Sequence, residues 1–270
     1  MYKLIAVDID GTLSNDDKII TKATRDALIN AQKQGIIVVI ASGRQAPGLE
    51  RESRILKLEQ YGGLLLSYNG ARIINASTRE IIYENSIDKE YAITVLKELE
   101  KYQVNPIIDD GEYIITTDEN SFMIQKERVN NNMKVKLVDS LVKDIYFNPC
   151  KILIAAPHEY LISVSDNIIS KFEDKLTFTF STPFFLEANN KGISKAAALE
   201  KICEIYNITK DEVIAFGDGG NDLSMIKFAG MGVAMGNAVE ELKEAANMVT
   251  LSNNDDGIVY ALNQLLKKCV

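Results

Sequence analysis

Residues Leu4–Leu13 read LIAVDIDGTL, and this stretch decides the fold. Its first half is a short apolar run, which predicts a buried β-strand. Two carboxylates, Asp8 and Asp10, follow, and Gly11 lets the chain leave the sheet. Because both faces of a parallel strand are covered, charge can first appear at its carboxyl end. A carboxylate pair this close repels unless a cation or a shared proton intervenes, and Mg²⁺ is the natural cation for hard oxygen ligands.

The composition indicates a folded chain with a substantial core. Its 270 residues suggest one large or two modest domains, and 46% of them are hydrophobic. Lys and Arg number 30 against 38 Asp and Glu, so the net charge is −8. A net acidic chain without a basic cluster argues against nucleic-acid binding. Any phosphate site must therefore be made positive locally by a metal, a lysine or helix N-termini.

Several kinds of site are disfavoured by the residues available. Cys150, Cys203 and Cys269 are odd in number and widely spaced, which favours reduced thiols over a disulfide framework or a zinc site. Cys203 falls in a helical pattern and is expected in the core. His158 is the single histidine, so a histidine triad is excluded, and we expect it on the surface. With no signal-peptide pattern and no membrane-length apolar stretch, we expect a cytoplasmic protein without a membrane partner.

Strands and helices alternate in the first part of the chain. The predicted elements are a helix from Thr21 to Gly35, strands over residues 36–41 and 64–67, and a hairpin over residues 71–83. This order is typical of a doubly wound parallel sheet, and the fold class is therefore α/β with a Rossmann-like core.

The second predicted strand ends in Ser42-Gly43. A hydroxyl, a glycine and then a predicted helix near residues 47–60 form a candidate phosphate cradle. A capping serine without a ligand would give the same pattern. Arg44 is interpreted as a structural residue or one at the edge of a cleft.

The pattern changes from about residue 84. An amphipathic helix and short strands follow, and strand–helix alternation returns only after residue 186. We therefore predict an α+β domain over residues 84–185, inserted into a core formed by residues 1–83 and 186–270. The alternative is one continuous fold, which would not bring the later motifs back to Asp8.

Two lysines are candidates for a phosphate contact. Lys191 precedes a predicted helix, and Lys195 lies near its first turn. A cation at a helix N-terminus is opposed by the helix dipole, so its presence suggests an anion or carboxylates nearby. A further apolar strand ends in the sequence Gly217–Asp222, GDGGND, which again places carboxylates at the carboxyl end of a strand.

Together these motifs resemble those of the haloacid dehalogenase superfamily, in its aspartate-nucleophile phosphatase branch. DIDGTL, the strand-end Ser42, Gly192–Leu199 and GDGGND are similar to the four family motifs. The inserted domain looks like the α/β cap of the Cof-type subfamily. The resemblance implies that Asp8 attacks phosphorus and that Asp10 is the general acid/base. It assigns the lysine role to Lys195.

The resemblance also implies a ligand set. The phosphate-binding residues would be Ile9, Ser42, Gly43, Lys195 and Asn221. The Mg²⁺ site would be formed by Asp8, Asp10, Asp218 and Asp222, with Asp10 contributing its backbone carbonyl.

The implied function is a Mg²⁺-dependent hydrolysis of small phosphorylated metabolites such as sugar phosphates, nucleotides, FMN or pyridoxal phosphate. A cap would select the leaving group, with Tyr113, Phe122, Met123 and Arg128 as candidates for its surface. Two alternatives stay open, a phosphomutase and a non-catalytic metabolite-binding protein. We expect a monomer or a small homo-oligomer.

Overall fold

The computed structural model describes residues 1–266. The chain divides into two units. The first contains Met1–Arg44, Leu49–Tyr83 and the chain from Ser194 onward, and the second contains Gln45–Gly48 and Glu84–Ile193. Over the described residues, no helix combines the length and apolar character needed to cross a membrane. Cys269 lies outside the described residues.

The strands are, in chain order, β1 (Leu4–Val7), β2 (Ile37–Ala41), β3 (Leu64–Ser67), β4 (Arg72–Asn75), β5 (Ile81–Glu84), β6 (Asn105–Asp109), β7 (Tyr113–Thr116), β8 (Lys134–Leu137), β9 (Ile152–Ala155), β10 (Leu176–Thr182), β11 (Phe185–Asn190), β12 (Val213–Gly217), β13 (Met231–Ala234) and β14 (Met248–Val249).

The α-helices are α1 (Lys22–Lys33), α2 (Glu50–Leu56), α3 (Leu58–Tyr61), α4 (Lys89–Leu99), α5 (Ile124–Asn130), α6 (Leu141–Asp144), α7 (His158–Ile169), α8 (Lys195–Tyr206), α9 (Leu223–Phe228), α10 (Glu240–Ala245) and α11 (Gly257–Leu265). Short 3₁₀ turns lie at Ala46–Leu49, Tyr68–Gly70, Lys210–Glu212, Gly220–Asp222 and Asn253–Asp255.

The first unit is built on a sheet with the order β14-β13-β12-β1-β2-β3-β4-β5. Pairing is parallel from β14 to β3 and turns antiparallel between β3 and β4. The predicted parallel core is therefore confirmed. Strand β1 lies at its centre, and all four of its residues are buried because both faces are covered.

Helices cover the two faces of this sheet. On one face, α8, α9 and α10 contribute Leu199, Met225 and Leu242 to a core that includes Leu4. On the other face, α1 packs against β2 and contacts α11. The Thr21 hydroxyl accepts a hydrogen bond from the Thr24 amide and so caps α1, as the sequence predicts.

The second unit has a six-stranded sheet with the order β10-β11-β9-β6-β7-β8. Pairing is antiparallel except between β7 and β8. Its two faces carry separate cores. One core includes residues of α4 and α7. The other includes Ile107, Leu153 and Phe185, with Ile124 of α5.

The boundary between the units lies later than the sequence indicates. Residues 186–190 were assigned to the core, but they belong to β11, which pairs with β10 and β9 of the second unit. The reason is the sequence Leu186-Glu187-Ala188-Asn189, whose alternation fits a strand with two different faces. Residues 45–48 also fall in the second unit.

Several helices and strands differ from the sequence prediction. The helix predicted near residues 47–60 is interrupted at Lys57, which has a positive φ of 55°. Helix α5 is only seven residues long. Strand β8 and helix α6 have no clear signal in the sequence, because both are short and polar. His158 begins α7 and is exposed, as expected.

Candidate active site

The six parallel strands of the first unit end at the same edge of its sheet. The register pairs Val7 of β1 with Ile40 of β2 and with Phe216 of β12. Asp8 therefore follows β1 beside the ends of its two neighbours. Ser42 follows β2, and Asp218 follows β12, so topology alone brings three of the predicted site residues to one edge.

Lys195 connects the first and fourth motifs. Its ammonium donates hydrogen bonds to Oδ1 of Asp8 at 2.5 Å and to Oδ1 of Asp222 at 2.6 Å. Ser194 caps α8 by accepting from the Ala197 amide, which makes Lys195 the first helical residue. Lys195 is only 1% exposed, so both ion pairs lie in the interior.

The charges of Lys195 and of the carboxylates Asp8, Asp218 and Asp222 influence one another. The pKa of Asp8 is raised to about 7, and burial is the largest cause. The charge of Lys195 lowers this pKa, whereas the charges of Asp222 and Asp218 raise it further. Desolvation favours neutral Lys195, but the carboxylates of Asp8 and Asp222 outweigh it and raise the pKa of the ammonium. The lysine is therefore charged, and the group carries more negative than positive charge.

Asp218 is held by the first motif. The Thr12 hydroxyl donates a 2.7 Å hydrogen bond to Oδ1 of Asp218. Gly11 has a φ of 80°, and a Cβ at this position would overlap the Asp218 carboxylate. The glycine is therefore required both by its backbone conformation and by the close approach of Asp218.

Asp222 is fixed by the loop that carries it. Its Oδ2 accepts hydrogen bonds from the amides of Asp218 at 3.0 Å and of Gly219 at 2.9 Å. Its other oxygen accepts from Lys195. Because both of its carboxylate oxygens accept hydrogen bonds, Asp222 holds the Lys195 ammonium and the backbone of residues 218–219 in place.

Three carboxylates are suitably placed to bind a cation. Oxygens of Asp8, Asp218 and Asp222 all lie within 4.8 Å of one another, which forms the one such group of three acidic, histidine or cysteine residues within the described chain. Burial raises the pKa of Asp218, and the charge of Asp222 adds to this. Hard oxygen donors with surplus negative charge fit a divalent cation such as Mg²⁺. The Asp10 side chain does not belong to this group.

The Asp10 carboxylate is held by two cations. It accepts from Arg44 at 2.5 Å and from Lys18 at 3.0 Å, and it is about half exposed. Desolvation raises its pKa, but Arg44 and Lys18 outweigh this and lower the pKa below the ordinary value of 3.8. In this arrangement Asp10 is ionised. Arg44, interpreted from the sequence as a structural or cleft-edge residue, directly contacts a predicted catalytic group.

Ser42 and Gly43 form a tight turn after β2. The Ser42 hydroxyl is buried and accepts a hydrogen bond from the Arg44 amide at 3.2 Å. A Cβ at Gly43 would lie 3.0 Å from Oδ1 of Asn69. The turn therefore lies against Asn69. The backbone amide of Asn69 donates a hydrogen bond to the Ser42 carbonyl at 3.0 Å.

Asn69 is a site neighbour that the sequence analysis missed. Asn221 donates to its Oδ1 at 3.4 Å, so Asn69 lies between the second and fourth motifs. Tyr68, Asn69 and Gly70 have consecutive positive φ values of 53°, 56° and 109°. In the sequence, the dipeptide Asn69-Gly70 is typical of a tight turn and does not by itself indicate a site. The signal that could have identified Asn69 is its position just after β3, at the same sheet edge as Ser42.

Other predicted residues differ in placement. The Ile9 side chain is buried, so only main-chain groups of Ile9 can reach a ligand. Lys191 is exposed and belongs to the second unit, whereas Lys195 is buried in the first.

The residues predicted to form the surface of a cap are divided between the two faces of the second unit. Met123 packs in the core that contains Ile107 and Leu153, and the Phe122 ring contacts Phe184 beside it. Tyr113 packs against the opposite core, under the helices. Arg128 donates to Gln125 at 2.9 Å on the exposed side of α5. Tyr113 therefore does not share a sheet face with Met123.

Comparisons with known proteins agree with these motifs. Residues 5–262 match the sequence profile of the family described as haloacid dehalogenase-like hydrolase. YxeH of Bacillus subtilis (strain 168) is 36% identical over 270 residues, with 98% of this chain and 99% of that protein covered. The 5-amino-6-(5-phospho-D-ribitylamino)uracil phosphatase YcsE of the same organism is 30% identical, with 96% and 94% covered.

One solved structure is similar over nearly the whole chain. A haloacid dehalogenase-like hydrolase from Bacteroides thetaiotaomicron superposes with a TM-score of 0.92 at 40% identity, covering 98% of this chain and 100% of that one. The similarity therefore extends over both units and is not confined to the motifs.

Proposed function

Because this chain belongs to the haloacid dehalogenase-like hydrolases and is a phosphatase, we propose that it hydrolyses small phosphomonoesters with Mg²⁺, through a phosphorylated Asp8. The observation that best supports this proposal is the position of Lys195, whose buried ammonium contacts both Asp8 and Asp222. Such a point charge beside a carboxylate is what phosphoryl transfer to that carboxylate requires.

Charge is the main obstacle that the site must overcome. A carboxylate nucleophile that approaches a phosphate dianion is opposed by Coulomb repulsion, and this repulsion is strongest in a buried site. Lys195 reduces the repulsion from the protein side. Asp8, Asp218 and Asp222 would hold Mg²⁺, which when bound supplies further positive charge at the phosphate. Ser42, the Gly43 amide, main-chain groups of Ile9 and the Asn221 amide would contact the phosphoryl oxygens.

Proton transfer falls to Asp10 in this proposal. Attack by Asp8 breaks the bond between phosphorus and the leaving oxygen, and Asp10 donates a proton to that oxygen. Asp10 then accepts a proton from the water that hydrolyses the aspartyl phosphate. Because Arg44 and Lys18 hold the Asp10 carboxylate in its ionised form, substrate binding must release it from these cations so that it takes up a proton from solvent before it donates one to the leaving oxygen.

We propose that the second unit is the cap, and that it contacts the organic part of the substrate. The chemistry of the first unit involves only the phosphate and its bridging oxygen, so it cannot discriminate between leaving groups. Candidate substrates are sugar phosphates, nucleotides and FMN-like or pyridoxal phosphates. One relative acts, by its name, on a ribitylamino phosphate, which supports a small metabolite as the substrate class.

The decisive experiment compares the wild type with Asp8→Asn. Phosphate release from p-nitrophenyl phosphate and from a metabolite panel would be measured with Mg²⁺ and with excess chelator. We expect turnover only with Mg²⁺ and only in the wild type, because an amide is a poor nucleophile and a weaker ligand. Circular dichroism checks that the variant is folded. Near-normal rates in Asp8→Asn would reject the covalent route, and rates unaffected by chelation would reject the metal.

A further inference from the structure

The turn after β3 has an unusual backbone. Tyr68, Asn69 and Gly70 form this turn, and all three have a positive φ. Glycine adopts such a conformation readily, whereas a bulky residue such as tyrosine does so rarely. Tyr68 is only 1% exposed, so contacts with the surrounding chain hold it in place. An unfavourable backbone that is maintained in this way is typical of functional segments.

The backbone of this turn fixes the segment that follows β2. The Ser42 amide donates to the Leu66 carbonyl of β3 at 2.9 Å. The Asn69 amide donates to the Ser42 carbonyl at 3.0 Å, and the Tyr68 amide donates to the Arg44 carbonyl at 3.0 Å. Both ends of the three-residue segment after β2 are therefore held by amides of the turn after β3.

The held segment keeps hydrogen-bond donors for a ligand. Among residues 1–266, the Gly43 amide has no acceptor. The Ser42 hydroxyl accepts from the Arg44 amide at 3.2 Å, so its own proton is available for donation. An unpaired backbone amide beside a hydroxyl is a donor set that suits a phosphoryl oxygen.

The Asn69 side chain contacts the second and the fourth motif. A Cβ at Gly43 would lie 3.0 Å from Oδ1 and 3.1 Å from Nδ2 of Asn69, so this carboxamide lies against Gly43. The same Oδ1 accepts from Nδ2 of Asn221 at 3.4 Å. Asn69 is half-buried and Asn221 is exposed, so the pair is accessible to a ligand.

Asn221 depends on this contact for its orientation. Within the described part of the chain, the bond to Asn69 is the one hydrogen bond that the Asn221 side chain makes. The neighbouring Asp222, in contrast, accepts from Lys195 and from two backbone amides. An exposed side chain without a partner is free to change rotamer, so the Asn69 carboxamide restricts Asn221 where its own loop does not.

The further inference rests on the proposed function, in which the Gly43 amide and Asn221 contact the phosphoryl group. We propose that Asn69 is a positioning residue for phosphate binding. Its carboxamide orients Asn221, and its backbone holds the segment that carries Gly43. Asn69 thereby aligns donors of the second and fourth motifs on one phosphoryl group, and it has no part in holding the metal.

The variant Asn69→Gly removes the carboxamide and keeps the backbone. Glycine accepts the positive φ and retains the amide that donates to Ser42, so we expect Tm to stay close to that of the wild type. With p-nitrophenyl phosphate and Mg²⁺, we expect kcat/KM to fall, and the inhibition constant of inorganic phosphate to rise, by about fivefold. The Mg²⁺ concentration needed for half-maximal activity should not change.

The chain offers a matched control for this substitution. Asn207 also has a positive φ, 52° against 56° for Asn69, and its side chain is exposed. It follows the last residue of α8, at the opposite end of this helix from Lys195. Asn207→Gly makes the same chemical change away from the site, so we expect wild-type kinetics. Equal phosphate inhibition of Asn69→Gly and Asn207→Gly would overturn the proposal.

A double-mutant cycle tests whether Asn69 acts through Asn221. Asn221→Ala should weaken inhibition by inorganic phosphate, and adding Asn69→Gly should then weaken it by less than about twofold more. Losses that multiply in full, or no loss in Asn221→Ala, would overturn the proposal. A fall in both Tm and Mg²⁺ affinity in Asn69→Gly would show a merely structural role and would overturn it too.

The outcomes separate this proposal from the one on which it rests. Failure of the wild type to hydrolyse p-nitrophenyl phosphate with Mg²⁺ would reject the proposed hydrolysis. Isothermal titration calorimetry with inorganic phosphate and Mg²⁺ would still test Asn69, because it measures binding without turnover. Wild-type hydrolysis with unchanged phosphate affinity in Asn69→Gly would reject only the positioning role.

Discussion

The Thr12 hydroxyl donates a 2.7 Å hydrogen bond to the Asp218 carboxylate, across 206 positions of the sequence. Thr12 is thus hydrogen-bonded to Asp218, a candidate metal ligand. This contact leads to the first prediction.

Thr12→Val removes the hydroxyl and keeps the shape of the side chain. We expect the Mg²⁺ concentration needed for half-maximal activity to rise about tenfold, because losing a hydrogen bond that orients a ligand weakens metal binding. Saturating Mg²⁺ should restore most of kcat. A Mg²⁺ titration of activity measures this, with Thr12→Ser as the conservative control. If Thr12→Val binds Mg²⁺ as tightly as Thr12→Ser does, the hydroxyl does not position Asp218.

The two lysines near the start of α8 provide a matched pair. Lys195→Met keeps the length of the side chain but removes a buried ammonium, and we expect kcat to fall by about a hundredfold or more. Lys191→Met changes an exposed residue, and we expect near-normal kinetics. Steady-state kinetics on p-nitrophenyl phosphate would compare them, and denaturation would check folding. Equal losses would refute the assignment of the phosphate contact to Lys195.

The elevated pKa of Asp8 links pH to stability and to metal binding. In the folded chain this pKa is about 7 against an ordinary value of 3.8, so Asp8 stays protonated over a range in which the unfolded chain has lost the proton. The stabilising effect of this protonation is complete below the ordinary value and is lost as pH rises through about 7.

Two consequences can be measured. The Tm of the metal-free protein should contain a contribution that falls between pH 5 and pH 8, and added Mg²⁺ should raise Tm more at pH 8, where Asp8 is ionised. Thermal melting at both pH values, with and without Mg²⁺, tests this. In Asp8→Asn, the rise in Tm that Mg²⁺ produces should differ less between pH 5 and pH 8. An equal effect of Mg²⁺ at both pH values would contradict the shifted pKa.

Gly70 brings the turn after β3 against the start of α8. Its φ is 109°, and a Cβ there would lie 2.4 Å from the Ser194 carbonyl oxygen, so we expect Gly70→Ala to destabilise the chain by about 3 kcal/mol. Gly35 also has a positive φ, but a Cβ there meets nothing within 4 Å, so Gly35→Ala should destabilise the chain by about 1 kcal/mol. Urea denaturation compares the two. Equal losses would show that the contact with Ser194 contributes nothing.

Local patterns were enough to predict the core of the fold. The apolar run before Asp8 and the run over residues 36–41 are short, β-branched and followed by polar residues, so strand type, burial and parallel order could all be inferred. The resemblance of four motifs to those of a known family predicts that their residues meet, and Asp8, Lys195 and Asp222 are in contact. The strand predictions depend on short segments, whereas the meeting of Asp8 and Lys195, 187 positions apart, could be expected only from the resemblance to a family.

The remaining features depend on long-range contacts. Residues 186–190 alternate like a strand, but only their pairing with β10 and β9 shows that they belong to the second unit. Asn69 is an ordinary turn residue until its contact with Asn221 is known. The buried position of Glu127 depends on Gln45, which is 82 residues away in the chain. Sequence patterns carry no information about such pairs.

The central place of β1 has a consequence for synthesis on the ribosome. Asp8 is translated long before residues 213–217, yet the strand before it pairs on one side with Val213–Gly217. The long contiguous part of the second unit, from Glu84 to Ile193, has emerged before that partner exists. The nascent chain therefore carries an unfinished sheet edge while the second unit can already fold, so the strand that leads to Asp8 is made early and completed late.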